Sequence, residues 1–187
     1  HELKNHSYDF AINLAAQAGV RLPKNQYYKY KDSNLTGFEA FLNFCSDNKV
    51  KKIIYASSSS VYSGIKNFCY SENEPLETPI SEYAKTKIEN EKLANKFSKQ
   101  TDSRIIGLRF FTVYGPYGRP DMAYYLFSKN VASGKEITLF NNGNTSRDMT
   151  YIDDITDGIM GSIRYIENNI FQHEIFNLGN DSPVETN

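Results

Sequence analysis

The sequence has little of several features that mark specialised classes of protein. Its 187 residues carry 21 lysines and arginines against 22 aspartates and glutamates, which gives a formal net charge of −1. A near-neutral chain has no electrostatic basis for binding nucleic acid or an acidic membrane surface. No apolar run approaches the roughly 18 residues that a membrane-spanning helix needs. The composition therefore predicts neither nucleic-acid binding nor membrane association.

Cysteine and histidine are also scarce. The two cysteines, Cys45 and Cys69, are too few and too isolated for a disulfide framework. We therefore expect a reducing, cytoplasmic setting. The three histidines show no spacing typical of metal ligands, so the sequence predicts no metal site.

Strand-like and helix-like stretches alternate along the chain, which predicts an α/β fold with a parallel sheet and helices on both of its faces. Phe38, Leu42 and Cys45, for example, recur at helical spacing. Asn34 opens that helix, and we interpret it as a cap or a packing residue. The predicted strands cover residues 9–16, 50–56, 104–111, 136–140 and 174–178, and the predicted helices cover residues 34–48, 81–97, 121–132 and 153–166.

Tyr83 and Lys87 are the first candidates for chemistry. Because they are four residues apart, they lie on one face of the predicted helix, one turn from each other. A phenol is a poor base at neutral pH because its pKa is about 10, and a neighbouring ammonium lowers that pKa by stabilising the phenolate. The pair is therefore suited to general-base catalysis. Taken alone, the same spacing is common on solvated helix surfaces, and that interpretation stays open at this point.

Four consecutive serines, residues 57–60, directly follow the strand at 50–56. In open parallel sheets, ligands bind just beyond the carboxyl ends of the strands. Hydroxyls in that place suit a polar substrate, although a serine-rich turn without a function has the same composition. The spacing from Ser58 to Tyr83 suits two groups that converge from neighbouring strand–helix units.

Five motifs occur in order, at residues 14–21, 57–62, 83–87, 109–122 and 147–155. Together they resemble the extended short-chain dehydrogenase/reductase family, in particular its UDP-glucuronate 4-epimerase branch. The stretch 109–122 is the most specific of the five. The resemblance covers nearly the whole chain, and it implies a Rossmann-like fold with NAD as the cofactor.

The resemblance also implies a mechanism. Tyr83 would take the proton from the sugar 4-hydroxyl while hydride leaves carbon 4 for NAD, and Ser58 would hydrogen-bond the same oxygen. Lys87 would hold the nicotinamide ribose and lower the pKa of Tyr83. The 4-keto sugar would then turn over in its pocket and take the hydride back on its other face. The implied cofactor-binding residues are Leu14, Ala15, Ala16, Tyr83 and Lys87.

The resemblance implies a further set of residues for the UDP-sugar. In related dehydratases the two positions after the catalytic hydroxyl resemble the pair Asp-Glu, and this chain has Ser59 and Ser60 there. A carboxylate there would repel a substrate carboxylate, whereas hydroxyls donate hydrogen bonds to it, so we expect a uronate. The implied substrate-binding residues are Gln17, Arg21, Ser59, Ser60, Thr112, Arg119 and Arg147.

The two arginines of this set have alternative interpretations. Arg119 would hold the acidic sugar, but a solvated loop position is the alternative. Arg147 would pair with the diphosphate, for which a guanidinium fork is well shaped. Its alternative is a surface ion pair with Asp148 or Asp153.

The sequence therefore predicts an NAD-dependent 4-epimerase that interconverts UDP-glucuronate and UDP-galacturonate, with a homodimer as the expected assembly. One rival within the family is a 4-epimerase of a neutral or N-acetylated UDP-sugar. A rival from a different class is a non-catalytic scaffold member of the family. The intact Ser58, Tyr83 and Lys87 argue against the scaffold.

The chain also lacks the glycine-rich turn with which this family binds the cofactor's pyrophosphate, since Gly19, Gly37 and Gly64 are isolated. We expect residues 1–115 to be the later part of an NAD-binding domain, truncated at its N-terminus. Residues 116–187 are expected to begin a smaller substrate-binding region with returning Rossmann elements. The isolated 187 residues are accordingly expected to bind NAD poorly and to be inactive.

Overall fold

The structure of the chain is a computed structural model that describes residues 6–20, 22–65, 69–76, 79–139 and 143–185. The strands are β1 (Ala11–Asn13), β2 (Lys52–Ser58), β3 (Arg104–Phe110), β4 (Thr112–Tyr114), β5 (Ser146–Tyr151), β6 (His173–Leu178) and β7 (Pro183–Glu185). The helices are α1 (Tyr28–Tyr30), α2 (Gly37–Asp47), α3 (Glu82–Thr101), α4 (Ala123–Ala132) and α5 (Ile152–Asn168). There are also 3-10 turns at Lys24–Gln26 and Ser59–Tyr62 and a π-helical segment at Lys31–Thr36.

The chain divides into two compact units. Unit 1 contains residues 1–110 and 160–177, and unit 2 contains residues 111–159 and 178–187. The expected division into an NAD-binding part over 1–115 and a substrate-binding part over 116–187 stays a prediction, because it assigns functions as well as residues. Among the described residues, no helix combines the length and the apolar character that crossing a membrane requires.

Unit 1 is built on a four-stranded sheet in the order β1-β2-β3-β6. β2 runs parallel to both β1 and β3. Both faces of β2 and β3 are covered, which is why these strands are nearly continuous apolar runs in the sequence. Their fully buried side chains include Ile53, Ile54, Ile105, Ile106 and Leu108. The parallel sheet with flanking helices, a Rossmann-like α/β fold, is thus confirmed.

Helices α2 and α3 pack their apolar faces against this sheet. Phe38, Leu42 and Cys45 of α2 lie in one buried cluster with Ala94 of α3. At the start of α3 the Ser81 side chain accepts a hydrogen bond from the backbone N–H of Ala84, at 3.1 Å. The helix ends at a residue in the left-handed conformation, Asp102.

The first predicted strand, residues 9–16, is wrong in its extent. Only Ala11–Asn13 pair with β2, and Ile12 is 40% exposed rather than buried. The chain turns after Asn13 because the Asn13 side-chain oxygen accepts a hydrogen bond from the Ala15 backbone N–H, at 2.9 Å. This is the local competition with strand pairing that asparagine favours.

Unit 2 contains a small sheet in the order β4-β5-β7, which the sequence did not predict. β4 and β5 are parallel, and β5 and β7 are antiparallel. The predicted strand at 136–140 is wrong over residues 136–139, which form no strand, while residue 140 lies outside the described residues. The chain after α4 instead turns back on the helix, where Asn130 accepts from the Lys135 N–H and donates to the Glu136 carbonyl.

Gly107, in the middle of β3, leaves room for the buried Tyr55 ring. A Cβ at this position would lie 2.5 Å from the Tyr55 hydroxyl oxygen and 2.6 Å from Cδ1 of Ile175. We expect Gly107→Ala to lower the free energy of unfolding by about 1–3 kcal/mol through overpacking, measured by urea denaturation. Gly161→Ala is the matched control, since its Cβ would meet only an Arg164 nitrogen at 3.9 Å. Equal stability of the two variants would contradict this account.

His173, on β6, stacks on Tyr55 with ring centroids 6.1 Å apart, and its Nε2 lies 3.0 Å from the Tyr55 hydroxyl. Burial lowers the pKa of His173 to about 4, although the Glu91 carboxylate opposes this. Between pH 4 and pH 6.5 the unfolded chain, in which this histidine has an ordinary pKa near 6.5, therefore binds more protons than the folded chain. The stability that depends on neutral His173 is present above about pH 6.5 and is lost as the pH falls towards 4.

A measurement of stability against pH tests the lowered pKa of His173. The free energy of unfolding of the wild-type chain should fall more steeply between pH 6.5 and 4 than that of His173→Gln, by at most about 1.4 kcal/mol per pH unit. His6→Gln, which changes an exposed histidine, is the matched control. Parallel curves for wild type and His173→Gln would show that His173 is not the titrating group.

Candidate functional site

The first two turns of α3 hold Tyr83 and Lys87 side by side. The Lys87 Nζ lies 5.8 Å from the centroid of the Tyr83 ring. Lys87 is only 3% exposed, whereas Tyr83 is half-buried. The Tyr30 ring packs on the Tyr83 ring, with centroids 6.0 Å apart. The tyrosine thus has a cation within reach of its π face and an aromatic neighbour that limits its movement.

Lys87 is not a solvated surface lysine. Its Nζ donates a hydrogen bond to the backbone carbonyl oxygen of Ala56, at 2.7 Å, near the end of β2. Burial lowers the pKa of Lys87 to about 8, and the Glu91 carboxylate partly opposes this effect. At neutral pH the ammonium therefore keeps its charge, which stabilises a neighbouring phenolate. The role of Tyr83 as a general base, which this arrangement would support, stays a prediction.

The serine stretch forms the end of β2 and the turn after it. The Ser58 Oγ accepts a hydrogen bond from the Ser60 N–H at 3.2 Å and donates to the Ser60 Oγ at 3.1 Å. Ser58 thereby caps the 3-10 turn Ser59–Tyr62. Ser59 and Ser60 are half-buried. Ser57 points elsewhere, since its hydroxyl donates to Glu91.

Of the two interpretations of Asn34, the helix cap is wrong, and the packing residue agrees with its burial. It lies inside the π-helical segment Lys31–Thr36, is 1% exposed, and does not begin a helix. Its Oδ1 accepts from the Gln17 backbone N–H at 2.8 Å, and its Nδ2 donates to the Thr86 Oγ1 at 3.0 Å. Asn34 therefore ties the segment after β1 to α3, beside the Tyr83–Lys87 pair.

The segment after β1 carries several residues predicted to bind the cofactor or the substrate. Leu14 is 51% exposed, Ala15 is exposed and Ala16 is half-buried. The Gln17 side chain donates to the neighbouring Ala18 carbonyl at 3.2 Å. Arg21 lies outside the described residues.

In unit 2, Thr112 lies on β4 and Arg119 in the loop before α4. The Arg119 guanidinium pairs with Asp121 through two bonds, Nε to Oδ1 at 3.0 Å and Nη2 to Oδ2 at 2.5 Å. This contact lowers the pKa of the Asp121 carboxyl. Arg119 is 43% exposed along its side chain. It is therefore held in a defined orientation at the surface of unit 2.

Arg147, on β5, is exposed, and its Nη1 donates to the Ser146 carbonyl at 3.4 Å. The Asp148 carboxylate accepts from the backbone N–H groups of Asn180 and Asp181, at 2.9 and 2.8 Å. Asp148 thus holds the turn between β6 and β7. Among the ion pairs of the described residues, none joins Arg147 to Asp148 or Asp153. The alternative of a surface ion pair is wrong for Arg147 in this structure.

A buried ion pair next to the serine turn, which we define as Ser57–Tyr62, was missed by the sequence analysis. Arg109 of β3 donates to both carboxylate oxygens of Glu91 of α3, at 2.9 and 2.7 Å. Arg109 is 3% exposed and Glu91 is 8% exposed. Two signals point to this pair: an arginine stands within the otherwise apolar strand 105–110, and a glutamate follows Lys87 by four residues.

The sequence of this chain matches the NAD dependent epimerase/dehydratase family over residues 1–179. The chain belongs to this family. An uncharacterized protein of Methanocaldococcus jannaschii is 46% identical to it over 183 residues, covering 98% of this chain and 55% of the relative. UDP-glucuronate 4-epimerase 4 of Arabidopsis thaliana is 42% identical over 191 residues, covering 95% of this chain and 44% of the relative.

Several solved structures have a fold similar to that of this epimerase/dehydratase chain. The UDP-glucuronic acid 4-epimerase from Bacillus cereus, in complex with UDP-glucuronic acid and NAD, is 36% identical with a TM-score of 0.87. MoeE5 in complex with UDP-glucose and NAD is 30% identical with a TM-score of 0.86. The two matches cover 95% of this chain and 56% and 58% of those chains. The chain thus spans about half the length of the relatives that it matches.

Proposed function

We propose that the full-length protein is a UDP-sugar 4-epimerase that interconverts UDP-glucuronate and UDP-galacturonate. The observation that carries this proposal is the buried Lys87, which contacts the Tyr83 ring and donates to Ala56 just before the serine turn. The family membership supports the reaction class, and the similarity to UDP-glucuronate 4-epimerases supports the substrate.

The residues present fit the nicotinamide end of NAD. The Lys87 ammonium has three protons, of which the Ala56 carbonyl accepts one, so that it has donors for a ribose hydroxyl. The half-exposed Leu14, with Ala15 and Ala16, offers a small apolar surface beyond the end of β1. NAD, when bound, would accept a hydride from the sugar and return it.

The chemistry of the protein itself then rests on three side chains of unit 1. Tyr83, as the phenolate, takes the proton of the sugar 4-hydroxyl and gives it back when the sugar is restored. Lys87 stabilises that phenolate through its charge. The Ser58 hydroxyl, which the Ser60 N–H holds in place, turns its proton from the Ser60 Oγ to the sugar oxygen and hydrogen-bonds it as that oxygen loses and regains its own proton.

The substrate assignment rests on hydroxyl and guanidinium groups. Ser59 and Ser60 present hydroxyls rather than carboxylates, so a uronate carboxylate meets donors instead of repulsion. In unit 2 we assign Arg119 to the acidic sugar, and Arg147 with Thr112 to the diphosphate. The absence of an Arg147–Asp148 pair in the described structure supports the assignment of Arg147, because the pair would neutralise its charge.

The test is a product analysis with the full-length protein. It is incubated with NAD and UDP-glucuronate, or with NAD and UDP-glucose, and the products are separated by chromatography. UDP-galacturonate formed from the acid alone is the expected result. Turnover of UDP-glucose alone would overturn the substrate assignment, and turnover of neither sugar would favour a modified sugar or a scaffold role.

A further inference from the structure

The buried ion pair of Glu91 and Arg109 has no part in the mechanism above. The Glu91 carboxylate accepts three hydrogen bonds: one from the Ser57 hydroxyl at 2.5 Å and two from the Arg109 guanidinium. The remaining Arg109 nitrogen donates to the Tyr62 hydroxyl at 2.7 Å and to the Glu72 carbonyl at 3.3 Å. Each guanidinium nitrogen of Arg109 and each carboxylate oxygen of Glu91 thus has at least one hydrogen-bond partner.

The bonds of this pair reach both ends of the serine turn. Ser57 precedes Ser58, and Tyr62 ends the 3-10 turn that Ser58 caps. Ser57 and Arg109 lie opposite each other in the register of β2 and β3. The Glu91–Arg109 pair therefore bonds both ends of the turn, Ser57 at its start and Tyr62 at its end.

The same pair connects the serine turn to the helix that carries the catalytic base. Lys87 and Glu91 are one turn apart on α3, and they bond the consecutive β2 residues Ala56 and Ser57. A slip of α3 along β2 would break both bonds at once. The position of Ser58 relative to Tyr83 is therefore coupled to Glu91.

The Tyr62 end of the turn has a second anchor. Tyr62 donates to the Asn177 Oδ1 at 2.7 Å, and its ring stacks on Tyr70 at 4.7 Å between centroids. Asn177 in turn donates to the Tyr70 carbonyl at 3.0 Å. Arg109 thus bonds a tyrosine that Asn177 and Tyr70 also hold in place.

A buried ion pair contributes little to net stability, because the cost of removing two charges from water offsets their attraction. A well-packed apolar pair of similar volume would suffice for the core alone. What an apolar pair cannot reproduce is the directional bonding to Ser57 and Tyr62. The charges therefore serve to orient Ser57 and Tyr62.

We propose that Glu91 and Arg109 are positioning residues that hold the Ser57–Tyr62 turn in register with Tyr83 and Lys87. The catalytic part of this inference rests on the proposed epimerase function. Neither residue is assigned a contact with substrate or cofactor.

The test replaces both charges together, with Glu91→Leu and Arg109→Met in one full-length variant. We expect its midpoint of thermal unfolding to stay close to that of the wild type. We expect kcat for UDP-glucuronate to fall about 10- to 100-fold and KM to change less than about threefold, because the substrate still binds but the reacting groups are misplaced.

The matched control removes an exposed pair of the same helix, with Glu89→Leu and Lys92→Met. Their charged atoms are 3.5 Å apart and both side chains are about half or more exposed. This variant should keep the wild-type kcat and unfolding midpoint. Unaltered kcat in the buried-pair variant, at an unaltered midpoint, would overturn the positioning role.

A measurement independent of activity separates this inference from the proposed function. The Ser60 amide bonds the Ser58 Oγ within the turn, and the Ser63 amide, directly after the turn, bonds the Ser60 carbonyl. Hydrogen exchange at these amides should be at least about tenfold faster in the buried-pair variant, while amides of β2 keep their rates. If the wild type turns over no UDP-sugar, the proposed function fails, and exchange alone decides the positioning role.

A second variant covers the case in which the double replacement does not fold. Glu91→Gln keeps the shape of the side chain and one acceptor oxygen but loses the charge and one Arg109 bond. Its exchange at Ser60 and Ser63 should lie between the wild-type and double-variant rates. Wild-type exchange at both amides would refute the proposal.

Discussion

Replacing Tyr83 with phenylalanine should lower kcat of the full-length protein for UDP-glucuronate by about 10²- to 10⁴-fold, the range that a general acid–base group contributes. The physical reason is that the ring stays in its place between Tyr30 and Lys87, while the group that takes the proton is lost. Product formation by chromatography is the measurement. The unfolding midpoint should change little, because Tyr83 is only half-buried.

The control for this experiment is Tyr28→Phe, which removes a hydroxyl from a side chain that is 59% exposed. It should turn over substrate at the wild-type rate. A Tyr83→Phe protein within about tenfold of the wild type would exclude Tyr83 as the base. Full loss of activity together with unfolding would instead show a structural role of the hydroxyl.

Replacing Arg109 alone with methionine should destabilise unit 1 by about 3–5 kcal/mol, because it leaves the Glu91 carboxylate buried without its counter-charge. Urea denaturation followed by circular dichroism gives the free energy of unfolding. The loss should exceed that of the double variant, in which no charge remains unpaired. This comparison distinguishes an uncompensated charge from lost packing volume.

Arg104→Met is the matched control, since Arg104 lies on the same strand. Its guanidinium makes an exposed bond to the Asn169 carbonyl at 3.0 Å. We expect a loss of less than about 1 kcal/mol there, as is usual for surface substitutions. Equal losses at residues 104 and 109 would show that the Glu91–Arg109 pair carries no special cost.

Elements with strong local patterns could be predicted from the sequence. The helical spacing of Phe38, Leu42 and Cys45 identified α2, and all three are buried as the pattern requires. The long helix after Ser81 and the apolar strands β2 and β3 were likewise predicted within a few residues. In each case hydrophobic burial reinforces the local preference.

Elements decided by single hydrogen bonds were predicted poorly. β1 ends early because the Asn13 side chain captures the Ala15 N–H. The strand expected at 136–139 is lost because Asn130 binds the backbone that follows α4. The short strands of unit 2 contain polar residues, such as Arg147 and Asp148 on β5, and carry no apolar alternation to reveal them.

The sequence by itself determined the α/β fold, the Tyr83–Lys87 pair and the run of serines at the end of β2 and after it, because each follows from a local period or from contiguous residues. Only the tertiary structure decided that Lys87 is buried on the Ala56 carbonyl, that Asn34 joins Gln17 to Thr86, and that Glu91 pairs with Arg109. These contacts join residues 17 to 52 positions apart. Their formation depends on the packing of α3 against the sheet, which no local pattern in the chain encodes.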